Sequence, residues 1–265
     1  MWVHAFLVVF GTGAWRERIM DINEINRNSW DRQAARYQAG ADFLFTEVDF
    51  GDRDLPTEKD LNMIGNVNGK KVLEIGCGGA NCGISLAKQG GIVTCSDLSK
   101  EQISFAKANA EREKVKIKFI VSPMEEIEFN NEFDIVISMA ALMYVKDIDK
   151  VFGNVNKCLK NNGIFVFSLN DPTFYSAASR YLWNDPINQQ SYFYSGPEKW
   201  KWENNDDFEF ITYRRPIYEY INFLSANNLY IEKFHQLKPK KEILTEEDKM
   251  EMIFPRMMVF KTIKY

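Results

Sequence analysis

A glycine-rich loop and an acidic residue further along the chain are the features of this sequence that most clearly carry chemistry. Gly76 and Gly78 lie directly after the largely apolar run 72–75, where glycines let the backbone turn tightly and approach a ligand. Asp97 lies 21 residues beyond Gly76, a distance at which an acidic side chain accepts hydrogen bonds from ribose hydroxyls. Together these residues predict a nucleoside-containing ligand; the alternative is a tight strand-to-helix turn without a ligand.

Two neighbouring positions refine that prediction. The third glycine of a dinucleotide fingerprint would fall at Asn81, so a pyrophosphate is not the obvious ligand. Glu74 lies inside an otherwise apolar strand, where a buried carboxylate needs a partner. It either contacts a polar or cationic part of the ligand or accepts hydrogen bonds from nearby loop amides, and the sequence leaves both open.

The elements that must position these residues alternate between short β-branched runs and longer amphipathic segments, which is typical of βαβ units. The predicted strands cover 71–75, 92–96, 117–121, 133–138 and 164–169. The predicted helices cover 22–39, 81–89, 100–113, 148–159 and 217–227, and another begins near Thr57. The turn 161–163 is expected to be the C-cap of the helix before it. This order predicts an α/β fold with a doubly wound, mostly parallel sheet, whose ligand lies at the carboxyl ends of the strands.

The composition and net charge limit the classes of protein to which the chain can belong. The chain of 265 residues is 45% hydrophobic and 26% charged, which suits one large globular domain. A net charge of −4 gives no basic footprint, so neither nucleic acid nor a membrane is expected as a partner. The four cysteines form no metal-binding spacing, which predicts reduced thiols, a cytoplasmic location and no metal site. No basic residue precedes the apolar run near the start of the sequence, which argues against an export signal. Residues 1–19 are instead expected to be a poorly ordered extension.

Three segments resemble the motifs of class I S-adenosylmethionine-dependent methyltransferases, in that family's order and spacing. They are 72–80, 95–99 and 133–145, and the resemblance extends over roughly residues 68–172. The chain is identified as a small-molecule type, similar to the groups known as methyltransferase domains 11 and 25. The resemblance implies a Rossmann-like, seven-stranded sheet in which 229–236 and 257–264 form the last two strands, the final one antiparallel. It also implies S-adenosyl-L-methionine as the cofactor and a small-molecule methyl acceptor.

The resemblance also implies roles for residues of the cofactor site. The backbone at Gly76 and Gly78 would meet the methionine part of the cofactor, Asp97 would hold both ribose hydroxyls, and Leu98 would pack on adenine. Tyr37 lies on a segment that resembles a cofactor-covering helix; it would close over the methionine part, or else be a core-facing aromatic residue. The full set of predicted cofactor-binding residues is Tyr37, Glu74, Gly76, Gly78, Asp97, Leu98, Met124, Glu125 and Ser138.

After the third strand the sequence departs from the family pattern. The usual acidic position is Pro123, which has no backbone N–H to donate. Recognition of the adenine edge would therefore fall to Met124 or Glu125. Met143 occupies the position where relatives often carry a histidine, so no catalytic base is identified. An amine or thiolate acceptor needs none, whereas a hydroxyl or carbon acceptor would need one; the candidates are Tyr144, Tyr194, Tyr213 and His235.

The segment 171–228 is an insertion that the bare methyltransferase fold does not require. Residues 174–230 contain 16 aromatic residues in 57, about twice the frequency of the whole chain. Such rings either wall an apolar substrate pocket or bury a small core of their own. Tyr194, Tyr213 and Arg214 are predicted to bind substrate, because a guanidinium pairs well with carboxylate or phosphate; a solvated basic pair is the alternative for Arg214 and its neighbour.

The predicted organisation has four parts. An extension covers 1–19, cofactor-covering helices cover 20–66, a methyltransferase core covers 67–170 and 229–265, and a helical and loop lid covers 171–228. The charged stretch 238–249 is expected to be a solvated connection. Two other functions stay open: a non-catalytic cofactor-binding sensor or partner subunit whose lid plugs the acceptor pocket, and a protein or nucleic-acid methyltransferase. The run 170–173 only approximates the motif of amino-base methyltransferases, because Thr173 cannot stack on a flipped base.

Overall fold

The structure is a computed structural model. It describes residues 21–40, 45–52, 54–181, 191–201, 209–240 and 246–265. The predicted extension 1–19 lies outside the described residues.

A seven-stranded sheet forms the centre of the described part of the chain. Its inner strands are buried on both faces, as expected for near-continuous apolar runs in a parallel sheet. The strands are β1 (Lys71–Ile75), β2 (Ile92–Asp97), β3 (Ile117–Val121), β4 (Phe133–Ser138), β5 (Leu159–Asn170), β8 (Leu229–Leu237) and β9 (Met257–Lys264). A separate antiparallel hairpin pairs β6 (Gly196–Trp200) with β7 (Phe210–Arg214).

All of the predicted helices are present, together with two over 172–181 and 246–253 that were not predicted. They are α1 (Ile22–Gly40), α2 (Glu58–Leu61), α3 (Asn81–Lys88), α4 (Lys100–Arg112), α5 (Ile148–Cys158), α6 (Pro172–Tyr181), α7 (Ile217–Ala226) and α8 (Glu246–Ile253). No helix in the described ranges is long and apolar enough to cross a bilayer.

The strand order is β3-β2-β1-β4-β5-β9-β8. Strands β1 to β5 pair in parallel, and β9 is antiparallel to both of its neighbours. The predicted Rossmann-like sheet with an antiparallel last strand is therefore confirmed. The chain leaves β1 in one direction along the sheet and returns on its other side at β4, so the switch point, where such folds bind ligands, lies between these two strands.

Successive residues of each strand supply two different cores, because side chains alternate across a sheet. Val72 packs with Ile84 of α3 and Ile103 of α4 on one face. Leu73 packs on the other face in a cluster that contains Phe152 of α5 and residues of α7. Helices thus cover both faces, and the carboxyl edge of the sheet is the open edge between these layers.

Two expectations about connections are wrong. Helix α5 ends at Cys158, and the next residue, Leu159, already pairs with Phe133 of β4. Pairing resumes only at Ile164 opposite Ile135, so 160–163 loop out of the strand, with Asn162 in the left-handed region at φ 61°. The Asn-Asn-Gly turn is therefore a bulge in β5 and not a helix C-cap. The stretch 238–249 likewise contains the start of α8 and is not a connection throughout.

Candidate functional site

A cavity of about 400 Å³ lies at the carboxyl edge of the sheet, around the switch point. The loops after β1, β2 and β4 form its floor, through residues 76–79, 97–98 and 139–141. Trp30 and Tyr37 of α1 and Trp200 of the hairpin also line it. Its volume lies in the range usual for small-molecule sites.

The loop after β1 is shaped by glycine. Gly76 and Gly78 have φ of 69° and 52°, in the left-handed region that side chains disfavour. A Cβ at Gly76 would overlap the methyl group of Met124 and lie 2.6 Å from Ala141 Cβ. The N–H of Cys77 donates to the Ser96 carbonyl at 2.9 Å, which ties the loop to β2. The loop is therefore packed tightly against its neighbours and exposes backbone to the cavity.

Asp97 is held rigidly at the end of β2. One carboxylate oxygen accepts from the Gly78 N–H and the other from the Ser99 N–H, each at 2.9 Å. Burial raises the pKa of Asp97 to about 6, and the amides of Ser99 and Gly78 oppose that rise. A carboxylate has about four acceptor sites, so Asp97 can still accept two further hydrogen bonds from a ligand in the cavity that it lines.

Glu74 accepts a hydrogen bond from a backbone amide, the kind of contact that one of the two alternatives gave it; its contact with a ligand stays a prediction. It is 2% exposed, its Oε2 accepts from the Gly83 N–H at 2.8 Å, and the Cys95 thiol donates to the same oxygen at 3.4 Å. It also lines the cavity. Burial raises the pKa of Glu74 to about 8, against the opposing effects of Cys95 and Gly83. A cation in the cavity would favour its ionised form.

Aromatic rings from three elements meet over the cavity. The Trp30 ring lies edge-on to Tyr37 at 5.4 Å and to Tyr144 at 5.5 Å, and 5.0 Å from Phe210. Phe210 in turn stacks on Trp200 at 4.5 Å. Burial, followed by the Asp49 carboxylate, raises the pKa of Tyr37 to about 12. The two alternatives predicted for Tyr37 are not exclusive, because its ring both packs on Trp30 and lines the cavity.

Helix α1 is fixed above the cavity from two sides. Toward the core, the Ser99 hydroxyl donates to Asp31 at 2.6 Å and the Gln38 amide donates to Gln102 at 2.8 Å. Toward the hairpin, the Ser29 hydroxyl donates to the Glu209 carbonyl at 2.7 Å, and Asn26 bonds to β7. The helix therefore joins the sheet to the hairpin.

Only some of the remaining predicted cofactor-binding residues line the large cavity. Leu98 and Met124 line the cavity. Glu125 lines a small cavity that shares Gly76, Leu98, Met124 and Tyr144 with the large one, and it accepts from the Asn23 amide at 3.5 Å. Ser138 is fully buried at the end of β4, does not line the cavity, and has a hydroxyl without a hydrogen-bond partner.

Of the four candidate catalytic residues, Tyr144 alone lines the large cavity. The Tyr194 hydroxyl donates to the Pro197 carbonyl at 2.7 Å. Tyr213 lines a different, smaller cavity together with Arg214. His235 lies on β8 opposite Val259 and lines none of these cavities. Burial raises the pKa of Tyr144, Tyr194 and Tyr213, so these phenols are neutral near pH 7.

Several lining residues were not predicted. Asp49 and Asp52 come from the segment between α1 and α2, Gln102 comes from α4, and Met139 and Ala140 follow β4. Asn81 also lines the cavity, and its amide donates to Asp49 at 3.4 Å. A signal existed only for Asn81, a polar residue where a dinucleotide fingerprint would have glycine.

The switch-point cavity, the glycine loop and the buried acid after β2 define the class I S-adenosylmethionine-dependent methyltransferase fold. A family model described as a methyltransferase domain matches residues 66–207, more than half of the chain. The chain therefore belongs to this methyltransferase family.

Curated relatives match the core region. A ubiquinone biosynthesis O-methyltransferase from Pelagibacter ubique is 37% identical over 101 residues, which cover 38% of this chain and 42% of that protein. The enzyme of the same name from Rickettsia conorii is 31% identical over 115 residues, 43% of this chain and 40% of that protein. The chain thus spans less than half the length of these two relatives.

Solved structures show the same fold at low identity. An S-adenosylmethionine-dependent methyltransferase from Mesorhizobium loti has a TM-score of 0.64 and 22% identity, over 77% of this chain and 95% of that one. A geranyl diphosphate C-methyltransferase from Streptomyces coelicolor has a TM-score of 0.62 and 14% identity, over 93% of this chain and 99% of that one.

Proposed function

We propose that this protein binds S-adenosylmethionine in the large cavity and transfers its methyl group to a small-molecule acceptor by in-line displacement. The observation that carries the proposal is the geometry of Asp97. Two backbone amides at 2.9 Å orient its carboxylate, which leaves acceptor sites for the two hydroxyls of a ribose.

The residues present fit this cofactor chemically. S-adenosylmethionine carries a cationic ammonium, a cationic sulfonium, a carboxylate and a ribose diol, and is a cation overall. The described residues that line the cavity include the acids Asp49, Asp52, Glu74 and Asp97 and no lysine, arginine or histidine. Glu74 suits the ammonium because a cation would favour its ionised form. The cavity therefore offers negative charge where the cofactor is positive.

The bound cofactor would supply an activated methyl group. The protein would position the two reactants and exclude water from the reacting atoms. Trp30, Tyr144 and Trp200 enclose the cavity with large rings, which limits water around the reacting atoms. Positioning alone can contribute several kcal/mol to a two-reactant step. An amine or thiolate acceptor would need no base, and Tyr144, neutral near pH 7, would act as a hydrogen-bond donor or acceptor.

The form of the cavity and the relatives both support a small acceptor. Helix α1 and the hairpin cover the cavity, so a bulky macromolecule would have to displace hydrogen-bonded elements. The curated relatives named above are O-methyltransferases of ubiquinone biosynthesis, which act on small molecules by their names. The four cysteines are buried free thiols, which supports a reducing, cytoplasmic setting.

Calorimetric titration with S-adenosylmethionine and with its demethylated product tests the cofactor. Micromolar binding is expected, and Asp97→Ala should weaken it by about 1–3 kcal/mol, because the ribose hydroxyls lose a charged acceptor. Asp134→Ala is the matched control, since Asp134 lies in β4 and pairs with Lys160 without lining the cavity. Equal binding by wild type and Asp97→Ala would refute the assignment. Binding without methyl transfer to any acceptor in a broad screen would favour the sensor alternative.

A further inference from the structure

A second cavity, of about 40 Å³, lies beside the first and is lined by polar groups. Its lining includes Asn170 at the end of β5, Thr212 and Tyr213 of β7, Arg215 directly after β7, and Tyr220 of α7. A single water needs roughly 10–15 Å³ of such volume, so the cavity has room for a group the size of a carboxylate.

Arg215 is the unusual member of this cavity. It is only 6% exposed. One terminal nitrogen donates to the carbonyls of Val145 and Lys146 at 2.9 and 2.7 Å. The other, Nη1, is buried and has no hydrogen-bond partner among the residues that the structure describes. Within the described ranges no carboxylate forms an ion pair with it. The groups that offset its charge are neutral: the two carbonyls, the face of the Tyr213 ring at 5.0 Å and the Tyr220 phenol.

The neighbouring Arg214 differs from Arg215 in having a carboxylate partner. It is 7% exposed, forms an ion pair with Glu198 and reaches the Ser179 hydroxyl at 3.4 Å. The two successive arginines are thus equally buried, but among the described residues only Arg214 has a carboxylate partner. A buried charge without a counter-charge is unfavourable, and an incoming anion would supply that counter-charge.

One face of the hairpin contributes residues to both cavities. Residues two apart on a strand share a face, so Phe210, Thr212 and Arg214 of β7 point the same way. Trp200 and Glu198 of β6 pair with Phe210 and Thr212 and lie on that same face. Trp200 lines the large cavity, whereas Glu198 and Thr212 line the small one. Tyr144 of the large cavity is also close enough to Tyr175 of the small one to be affected electrostatically.

We infer that Arg215 binds a carboxylate of the methyl acceptor, while the reacting atom of that acceptor lies in the large cavity beside Trp200. The inference rests on the proposed function and adds a substrate class to it: small organic acids. It also separates the two arginines, since Arg214 is already neutralised by Glu198. A single free guanidinium nitrogen in a cavity of this size suits a carboxylate better than a phosphate.

Binding of acetate to the whole protein tests the subsite without methyl transfer. Saturation-transfer NMR would compare acetate, acetamide of nearly equal size, and inorganic phosphate at pH 7. We expect acetate to bind at least tenfold more tightly than acetamide, and Arg215→Met to remove that preference. Arg180→Met is the matched control, because Arg180 is exposed on α6 and lines neither cavity. Arg215→Lys should keep part of the preference, because the charge remains.

Each result decides the inference. Equal binding of acetate and acetamide by wild type, or an unchanged preference in Arg215→Met, would overturn it; preferred binding of phosphate would overturn the carboxylate assignment. If Arg215→Met does not fold, as judged by its melting curve, the wild-type comparison and Arg215→Lys decide between these outcomes. Titration with S-adenosylhomocysteine tests the proposed function separately: a protein that binds it but does not distinguish acetate refutes the subsite alone.

Discussion

The side chain of Asn26 completes the hydrogen bonding of the Ile211 backbone. Its amide nitrogen donates to the Ile211 carbonyl and its oxygen accepts from the Ile211 N–H, both at 2.9 Å. Asn26 is 1% exposed and Ile211 6% exposed, so water cannot replace these bonds. One helix side chain therefore acts as a strand neighbour for β7 and holds the hairpin to α1.

Removal of this side chain should loosen the hairpin. Asn26→Ala leaves a buried N–H and a buried carbonyl of Ile211 without partners, at about 1–3 kcal/mol for each group that stays buried. We expect a loss of about 2 kcal/mol in the free energy of unfolding, together with faster hydrogen exchange at the Ile211 amide. Urea denaturation and exchange followed by NMR measure the two effects.

Asn23→Ala provides the matched comparison, since Asn23 lies on the same helix and its side-chain amide makes only a 3.5 Å bond to Glu125. The intrinsic gain of alanine in a helix is shared by both variants, so the difference between them reports the Ile211 bonds. Equal stability of the two variants would contradict the assigned role of Asn26.

The two glycines of the loop should tolerate alanine differently. Both have positive φ, which costs an alanine about 1–2 kcal/mol. At Gly76 the new methyl would also collide with Met124 and Ala141, whereas at Gly78 the nearest atom, Gln102 Oε1, is 3.9 Å away. Gly76→Ala should therefore lose about 1–3 kcal/mol more than Gly78→Ala. Urea unfolding without cofactor measures this difference. Similar losses of stability in the two variants would show that the side chains around Gly76 can move aside for the added methyl group.

Stability should fall as pH rises toward 8 because of Glu74. Its pKa is raised to about 8 in the folded chain from an ordinary value of 4.5, so the folded state binds the proton more tightly than the unfolded state. The stabilisation is fully present below about pH 4.5 and is lost as pH rises to about 8. Between pH 6.5 and 7.5 the slope should approach one proton, or about 1.4 kcal/mol per pH unit.

Glu74→Gln should flatten this slope while its amide oxygen can still accept from Gly83. Urea unfolding of the cofactor-free protein at several pH values gives the slopes. Glu113→Gln is the control, because the pKa of Glu113 is lowered by Lys88 and this group does not titrate in the same window. A wild-type slope that persists in Glu74→Gln would mean that another group carries it.

Tyr144 should assist methyl transfer without acting as its base. Burial raises the pKa of its phenol well above the ordinary value, so the group stays protonated from pH 6 to 9. We expect Tyr144→Phe to lower kcat/KM less than about tenfold and to keep the shape of the pH profile. Rates with an acceptor found by screening check this, with Tyr194→Phe as the control. If the rate of the wild type rises with pH and this rise is lost only in Tyr144→Phe, the base would be Tyr144.

The core of the site was predictable because its signals are local. Continuous apolar runs fix β1, β2 and β4, and glycine and acid at their ends lie where the fold must bind ligands. The positions of Asp97 and Gly76 in the chain were therefore enough to assign both residues to the site.

The cover of the site was less predictable because tertiary contacts create it. Strand β6 contains Pro197, Glu198 and Lys199, which are typical of loops, and its register depends on β7. Asp49 follows no periodic pattern and reaches the cavity only through packing. The difference between Arg214 and Arg215 depends on Glu198, on the other strand of the hairpin.

The place of β9 in the sheet affects the order in which the chain can fold. Residues 257–264 lie between β5 and β8, so β8 has no sheet neighbour among the described strands until β9 arrives. During synthesis, Phe167 and Phe234, which both contact Phe260, would lack that contact until β9 has been made and has paired. The nascent chain would thus expose an incomplete sheet edge between the synthesis of β8 and the pairing of β9, which is the stage at which chaperones would protect it best.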